Sequence, residues 1–157
     1  MRGWVVGIGL SLSLVALADD PLQLAPSDWS KKAGSGLVTW SAPASFETLT
    51  YAEMPKKVEI DQAQILARTF LERMGCSQPR QKTAEQLDAF DCEIERDGKT
   101  LRMFAIASER RSDGPMVTIH AAPMDDAQAL ARQALIAPRA SALASGQPPA
   151  DSAPRAV

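Results

Sequence analysis

From Phe90 to Ala105, apolar and polar residues alternate on either side of one break, Asp97-Gly98. That dipeptide is a strong signal for a two-residue hairpin turn, and the alternation has the period of strands buried on one face. If Arg96 faces Lys99, then Ile94 meets Leu101, Cys92 meets Met103 and Phe90 meets Ala105 on one face, while Glu93 meets Arg102 on the other. A slip of one residue would turn the apolar set to water, so turn and pattern fix the same register. Ser112-Asp113-Gly114-Pro115 marks a second turn, and Met116–Ala121 predicts a third strand. Its favoured register puts Val117 and Ile119 beside Ala105 and Ala107.

The period changes to helical over residues 62–74. Ala63, Leu66, Ala67, Phe70 and Met74 share a stripe, with Gln62, Arg68, Glu72 and Arg73 mostly elsewhere and Gly75 at the end. Asp61 with Gln64 has the spacing of a capping box, and Ile60 with Ile65 that of a hydrophobic staple. Asp125 with Gln128 repeats the capping pattern ahead of Ala127, Leu130, Ala131, Ala134 and Leu135, which predict a second helix ending before Pro138. Gly36–Ser41 and Phe46–Tyr51 read as two weaker strands. The expected architecture is a small single α+β domain over residues 36–137. An antiparallel meander carries one helix on a face and a C-terminal helix, after an extended lead-in at 19–35 and before a disordered Ala/Pro/Ser-rich tail at 138–157.

The start of the chain adds an address. Met1-Arg2, an apolar run from Trp4 to Leu17 and the small residues Ala16 and Ala18 have the layout of a cleaved signal peptide over residues 1–18. The run is short for a membrane span and no later segment approaches one, so the expected mature protein has no membrane span and is periplasmic or secreted. Removing residues 1–18 leaves 16 Lys+Arg against 19 Asp+Glu, a net charge of −3. Both signs are interspersed, without the basic field that nucleic-acid binding requires.

Export changes the reading of Cys76 and Cys92, the two cysteines of the chain. In an oxidising compartment an isolated pair is most simply a disulfide. Here it would tie the end of the first helix to the middle of the hairpin's first strand. With aromatics at 5% and many alanines, the core is lean and a covalent staple helps it.

No motif specifies a chemistry. His120 is the single histidine. A hydrolase would run through it with a Ser or acidic partner, but no Gly-x-Ser-x-Gly turn presents a nucleophile, and the simpler expectation is a half-exposed strand residue. Met116 and His120, with Met124 beyond, form the one soft-ligand grouping that could suit a periplasmic copper carrier. Asp125-Asp126 suits a helix start, and Asp19-Asp20 lacks the spacing of a calcium loop. No resident cofactor or metal is expected.

Arg102, Phe104 and Ile106 form a partly apolar strip on the sheet face away from the first helix. Together with Trp29 and Trp40 they are either a docking surface, since such residues dominate interface hot spots, or a core covered by the N-terminal segment or the last helix. The covered reading is preferred. Ser108–Ser112 reads as the solvated mouth of a hairpin, with a partner-accepting edge as the alternative. The function expected is that of a non-catalytic binding or accessory protein of the cell envelope, acting by contact with another envelope protein.

Overall fold

A computed structural model describes residues 20–146. The expected signal peptide at 1–18 and the tail from 147 onward lie outside the described residues. The elements in chain order are β1 (Ser30–Gly34), β2 (Leu37–Ser41), β3 (Thr48–Glu53), α1 (Ile60–Arg73), β4 (Arg80–Ala84), β5 (Leu87–Arg96), β6 (Lys99–Ser108), β7 (Met116–Pro123) and α2 (Ala127–Ala144). The strands form one antiparallel sheet in the order β1-β2-β3-β7-β6-β5-β4. The fold is thus α+β, with a meander at its centre and a helix on each face.

The β5–β6 hairpin has the register that its alternation predicts: Arg96 faces Lys99, Cys92 faces Met103, Phe90 faces Ala105 and Glu93 faces Arg102. Asp97 and Gly98 turn it with φ of 51° and 78°, the left-handed pair that a tight hairpin needs. Strand β7 adds in the preferred register, Ile119 opposite Ala105 and Val117 opposite Ala107. These residues form one buried cluster with Ala63, Ala67 and Leu71 of α1. The Cys76–Cys92 disulfide joins this cluster, tying the residue just past α1 to mid-β5 with the Cα atoms 6.1 Å apart.

The ends of α1 differ from the pattern reading. The helix starts at Ile60, and Gln62, not Gln64, reaches back, its Oε1 accepting from the Glu59 N–H at 3.2 Å. With Ile60 already in the first turn, Asp61 is helical and cannot cap. Ile65 is 68% exposed and staples nothing.

Edge strands β1 and β4 were not legible as strands. Each is closed by a two-residue turn, Ser35-Gly36 and Glu85-Gln86. Glu85 and Gln86 both take positive φ, 52° and 65°, in a turn that normally announces itself with Asn, Asp or Gly. Both strands are mostly exposed and carry Lys31, Lys32, Arg80 and Lys82. Charges of this kind discourage edge-to-edge pairing.

The second face corrects three expectations. The described part of the expected extended lead-in, residues 20–35, belongs to the domain: Leu22, Leu24 and Trp29 are buried, and β1 begins at Ser30. The Asp20 carboxylate organises the segment, accepting from the backbone N–H groups of Gln23, Leu24 and Ala25 and, at 2.6 Å, from the Tyr51 hydroxyl. Burial first, and then the Asp20 charge, push the Tyr51 hydroxyl far above its ordinary pKa.

Helix α2 does not stop at Pro138. It runs to Ala144, with Ile136, Ala137, Arg139 and Ala140 buried against the sheet. Arg139 Nη1 donates to the carbonyls of Leu22 at 3.1 Å and Gln23 at 2.8 Å. Packing on both sides of the proline outweighs the backbone bond it removes, so the tail expected from 138 is helical to 144. Its N-cap is Asp126, which accepts from the N–H groups of Gln128 and Ala129, both at 3.1 Å. Asp125 instead pairs with Lys99 at 2.8 Å.

Candidate functional site

His120 is not half-exposed. It lies mid-β7 between Leu49 of β3 and Phe104 of β6, under α2, and is 1% exposed. Its Nε2 is 2.7 Å from Glu47 Oε2, and its Nδ1 is 2.9 Å from Gln133 Nε2. The Gln133 amide nitrogen also donates to the Arg102 carbonyl at 3.0 Å. An NH2 group held there as a donor makes Nδ1 an acceptor, which leaves Nε2–H to donate to Glu47. Arg132 closes the group with a fork, Nε to Oε2 at 2.8 Å and Nη2 to Oε1 at 2.7 Å. The Arg132 guanidinium also sits 5.2 Å from the Trp29 ring centre.

The electrostatics follow from this geometry. Burial alone would raise the Glu47 pKa. The hydrogen bonds from Arg132 and His120, with the Arg132 charge, outweigh it and hold the carboxyl below its ordinary 4.5. Arg132 is pushed up in turn, chiefly by its hydrogen bond to Glu47. The quartet of Glu47, His120, Arg132 and Gln133 thus pins the start of β3, the centre of β7 and the first turns of α2 to one another.

A catalytic imidazole must leave one nitrogen for the proton it moves. Both nitrogens of His120 are occupied here, and among the described residues neither meets a Ser, Thr or Cys side chain. The soft-ligand grouping does not converge either. Met116 and His120 are four residues apart on one strand, about 13 Å at the strand rise. Met116 is wholly buried and Met124 is 38% exposed.

The residues considered as a docking strip are largely interior. Trp29, Trp40, Phe104 and Ile106 are buried in the cluster formed with Leu22, Leu24, Tyr51 and Ile136. The N-terminal segment and α2 together cover them, so the strip has lost its exposed apolar anchors. Trp40 meets Tyr51 edge-to-face at 5.6 Å and carries Lys31 at 5.3 Å. Arg102 is half-buried and, with Lys82, Phe104 and Gln133, lines a cavity of about 240 Å³ under α2. Beside it the buried Asp91 carboxylate already holds Arg80 at 3.0 Å and Lys82 at 3.4 Å. Ser108 ends a central strand and is buried, so the Ser108–Ser112 stretch offers no free edge.

An open surface lies elsewhere. Helix α1 packs chiefly on β5, β6 and β7, and beyond it on the same face Ala52 of β3 is buried while Leu37 and Thr39 of β2 are half-buried. Where helix and this part of the sheet meet runs a groove of about 520 Å³, lined chiefly by Leu37, Ala52, Met54, Val58, Leu66 and Phe70. Leu66 and Phe70 lie on the predicted core stripe, and Phe70 does pack against the core cluster; that both also border the groove depends on how far the covering helix reaches, which periodicity does not show. The quartet was missed for another reason. Glu47 lies 85 residues from Arg132 and 73 from His120, and no local spacing links them.

Comparison with known proteins finds no matching family, no matching curated protein and no matching solved structure.

Proposed function

We propose that this is an exported, non-catalytic binding protein of the cell envelope that acts by protein–protein contact through the groove between α1 and the β2–β3 hairpin. The groove carries the reading. It is an open, mainly apolar surface on which Leu37, Met54, Val58, Leu66 and Phe70 lie half-buried side by side, whereas the exposed Phe46, Ile65, Met124 and Leu135 do not line it. Surfaces of this kind mark interaction sites, and a groove beside an amphipathic helix suits a short apolar segment of a partner.

One feature supports the compartment: the disulfide is compatible with a periplasmic or extracellular location. Among the described residues no helix is long and apolar enough to cross a membrane. The expected cleavage after Ala18 would also leave Asp20, the residue that clasps the N-terminal segment to Tyr51, in the mature chain. The polar quartet serves as a structural lock in this reading.

The test has two arms. Mass spectrometry of the native product should find a chain starting at Asp19 with both thiols oxidised; an intact Met1 with two free thiols contradicts export. Quantitative affinity capture from envelope extracts should retain a reproducible partner on the wild-type protein and lose it on Leu66→Asp. Equal retention by both contradicts the groove.

A further inference from the structure

We infer that the partner segment is acidic: a short apolar stretch flanked by Asp or Glu, seated in the α1/β2–β3 groove. This rests on the proposed docking role of that groove and adds the chemistry of its occupant.

The rim carries the argument. Lys56 and Lys57 stand exposed in the loop between the lining residues Met54 and Val58. Lys32 projects from edge strand β1 on the groove side, since it pairs with Thr39, two residues along β2 from Leu37. Arg73, exposed in the last turn of α1, follows the lining residue Phe70 by three positions, beside the stripe at the end of the groove. Among the described residues none of these four cations is in an ion pair.

The nearby acids do not balance them. Glu53 is already held by Arg110 at 2.6 Å, which leaves two exposed acids, Glu59 and Asp61, at the start of α1 against the four cations. A net-negative chain therefore gathers unpaired positive charge around this apolar groove. Charges around such an opening choose the partner and speed its approach more than they add affinity. The floor is concave and about 12 Å long along α1 from Gln62 to Phe70, the span of about two helical turns. That shape suits an inserted protein segment better than a flat lipid surface.

The experiment uses the oxidised mature protein and three labelled peptides with the same two-turn leucine core, flanked by Glu, Lys or Ser. Binding is read by fluorescence anisotropy at low and high salt. The Glu-flanked peptide should bind about tenfold tighter than the Lys-flanked one and weaken with salt. The double variant Lys56→Glu/Lys57→Glu should reverse that order, and Leu66→Asp should abolish binding of all three.

Equal binding of all three peptides that Leu66→Asp abolishes overturns the charge inference but leaves the groove standing. Binding that Leu66→Asp leaves unchanged, or no binding of any peptide, overturns both. Leu66-dependent sedimentation with phosphatidylglycerol vesicles in place of peptide binding assigns the groove to lipid and overturns the inference as well. Circular dichroism and the melting temperature of each variant separate loss of binding from loss of fold.

Discussion

Replacing Arg132 with Met keeps the side-chain stem and removes the guanidinium from Glu47. The carboxylate is 1% exposed and loses two charge-assisted hydrogen bonds, at 2.7 and 2.8 Å. His120 Nε2 is then its remaining side-chain partner in the quartet. Breaking a buried ion pair from one side costs about 3–5 kcal/mol. The Arg132 side chain is 23% exposed, so solvent screens part of the interaction and the lower end, about 3 kcal/mol, applies. For a domain of this size that is a fall of roughly 10 °C in melting temperature.

The pH dependence carries a second signature. The Glu47 pKa is depressed in the folded protein. The pair's stabilisation is therefore fully present above the ordinary value of 4.5 and is lost as pH falls through the folded value. The gap between wild type and Arg132→Met should be widest near neutrality and narrow on acidification. Urea unfolding at a series of pH values reads both. A neutral-pH loss below about 0.5 kcal/mol, the range of ordinary surface substitutions, or a gap that does not change with pH, would refute the lock.

Other outcomes follow from the same geometry. Reducing the Cys76–Cys92 disulfide, which spans 16 positions, should cost about 3 kcal/mol in denaturant melts, the chain-entropy figure for a loop of that length; an unchanged midpoint contradicts the staple. Asp20→Ala removes the acceptor for three backbone N–H groups and the Tyr51 hydroxyl. Hydrogen exchange at residues 22–29 should accelerate while the β5–β6 hairpin stays protected, and uniform behaviour of the two regions contradicts a local clasp. A Cβ at Gly114 would stand 2.1 Å from the Pro55 carbonyl oxygen, so Gly114→Ala should destabilise by at least about 2 kcal/mol, with thermal melting as the check. Glu85→Asn with Gln86→Gly relieves two left-handed residues, at φ of 52° and 65°. It should raise stability by about 1–2 kcal/mol, and a lower melting temperature would show the turn to be otherwise held.

What the sequence disclosed depended on the range of the interaction involved. The central hairpin was legible down to its register because alternation and Asp97-Gly98 speak to the same few residues. The disulfide was legible because that register already set Cys92 on the helix-covered face. Strand β4 was not, because its turn is built from Glu85 and Gln86 and its polar side chains bury little. Pro138 reads as a stop because its local cost is visible, whereas the contacts that carry α2 past it, from Arg139 to Leu22 across 117 positions, are not. The candidate site divides in the same way. The apolar stripe of α1 was evident, but that Leu66 and Phe70 border an opening depends on where β2 and β3 lie. His120 was noticed as a lone histidine, and its partners arrive from two other elements.

The most direct measurement is photo-crosslinking in intact cells, with a crosslinking residue placed at Leu66 in the groove or at Leu135, an exposed position on α2 across the sheet. A discrete adduct from position 66, absent from position 135, is the predicted result. The same adducts from both positions, or an adduct from position 135 alone, would contradict the assignment of this groove as the working surface.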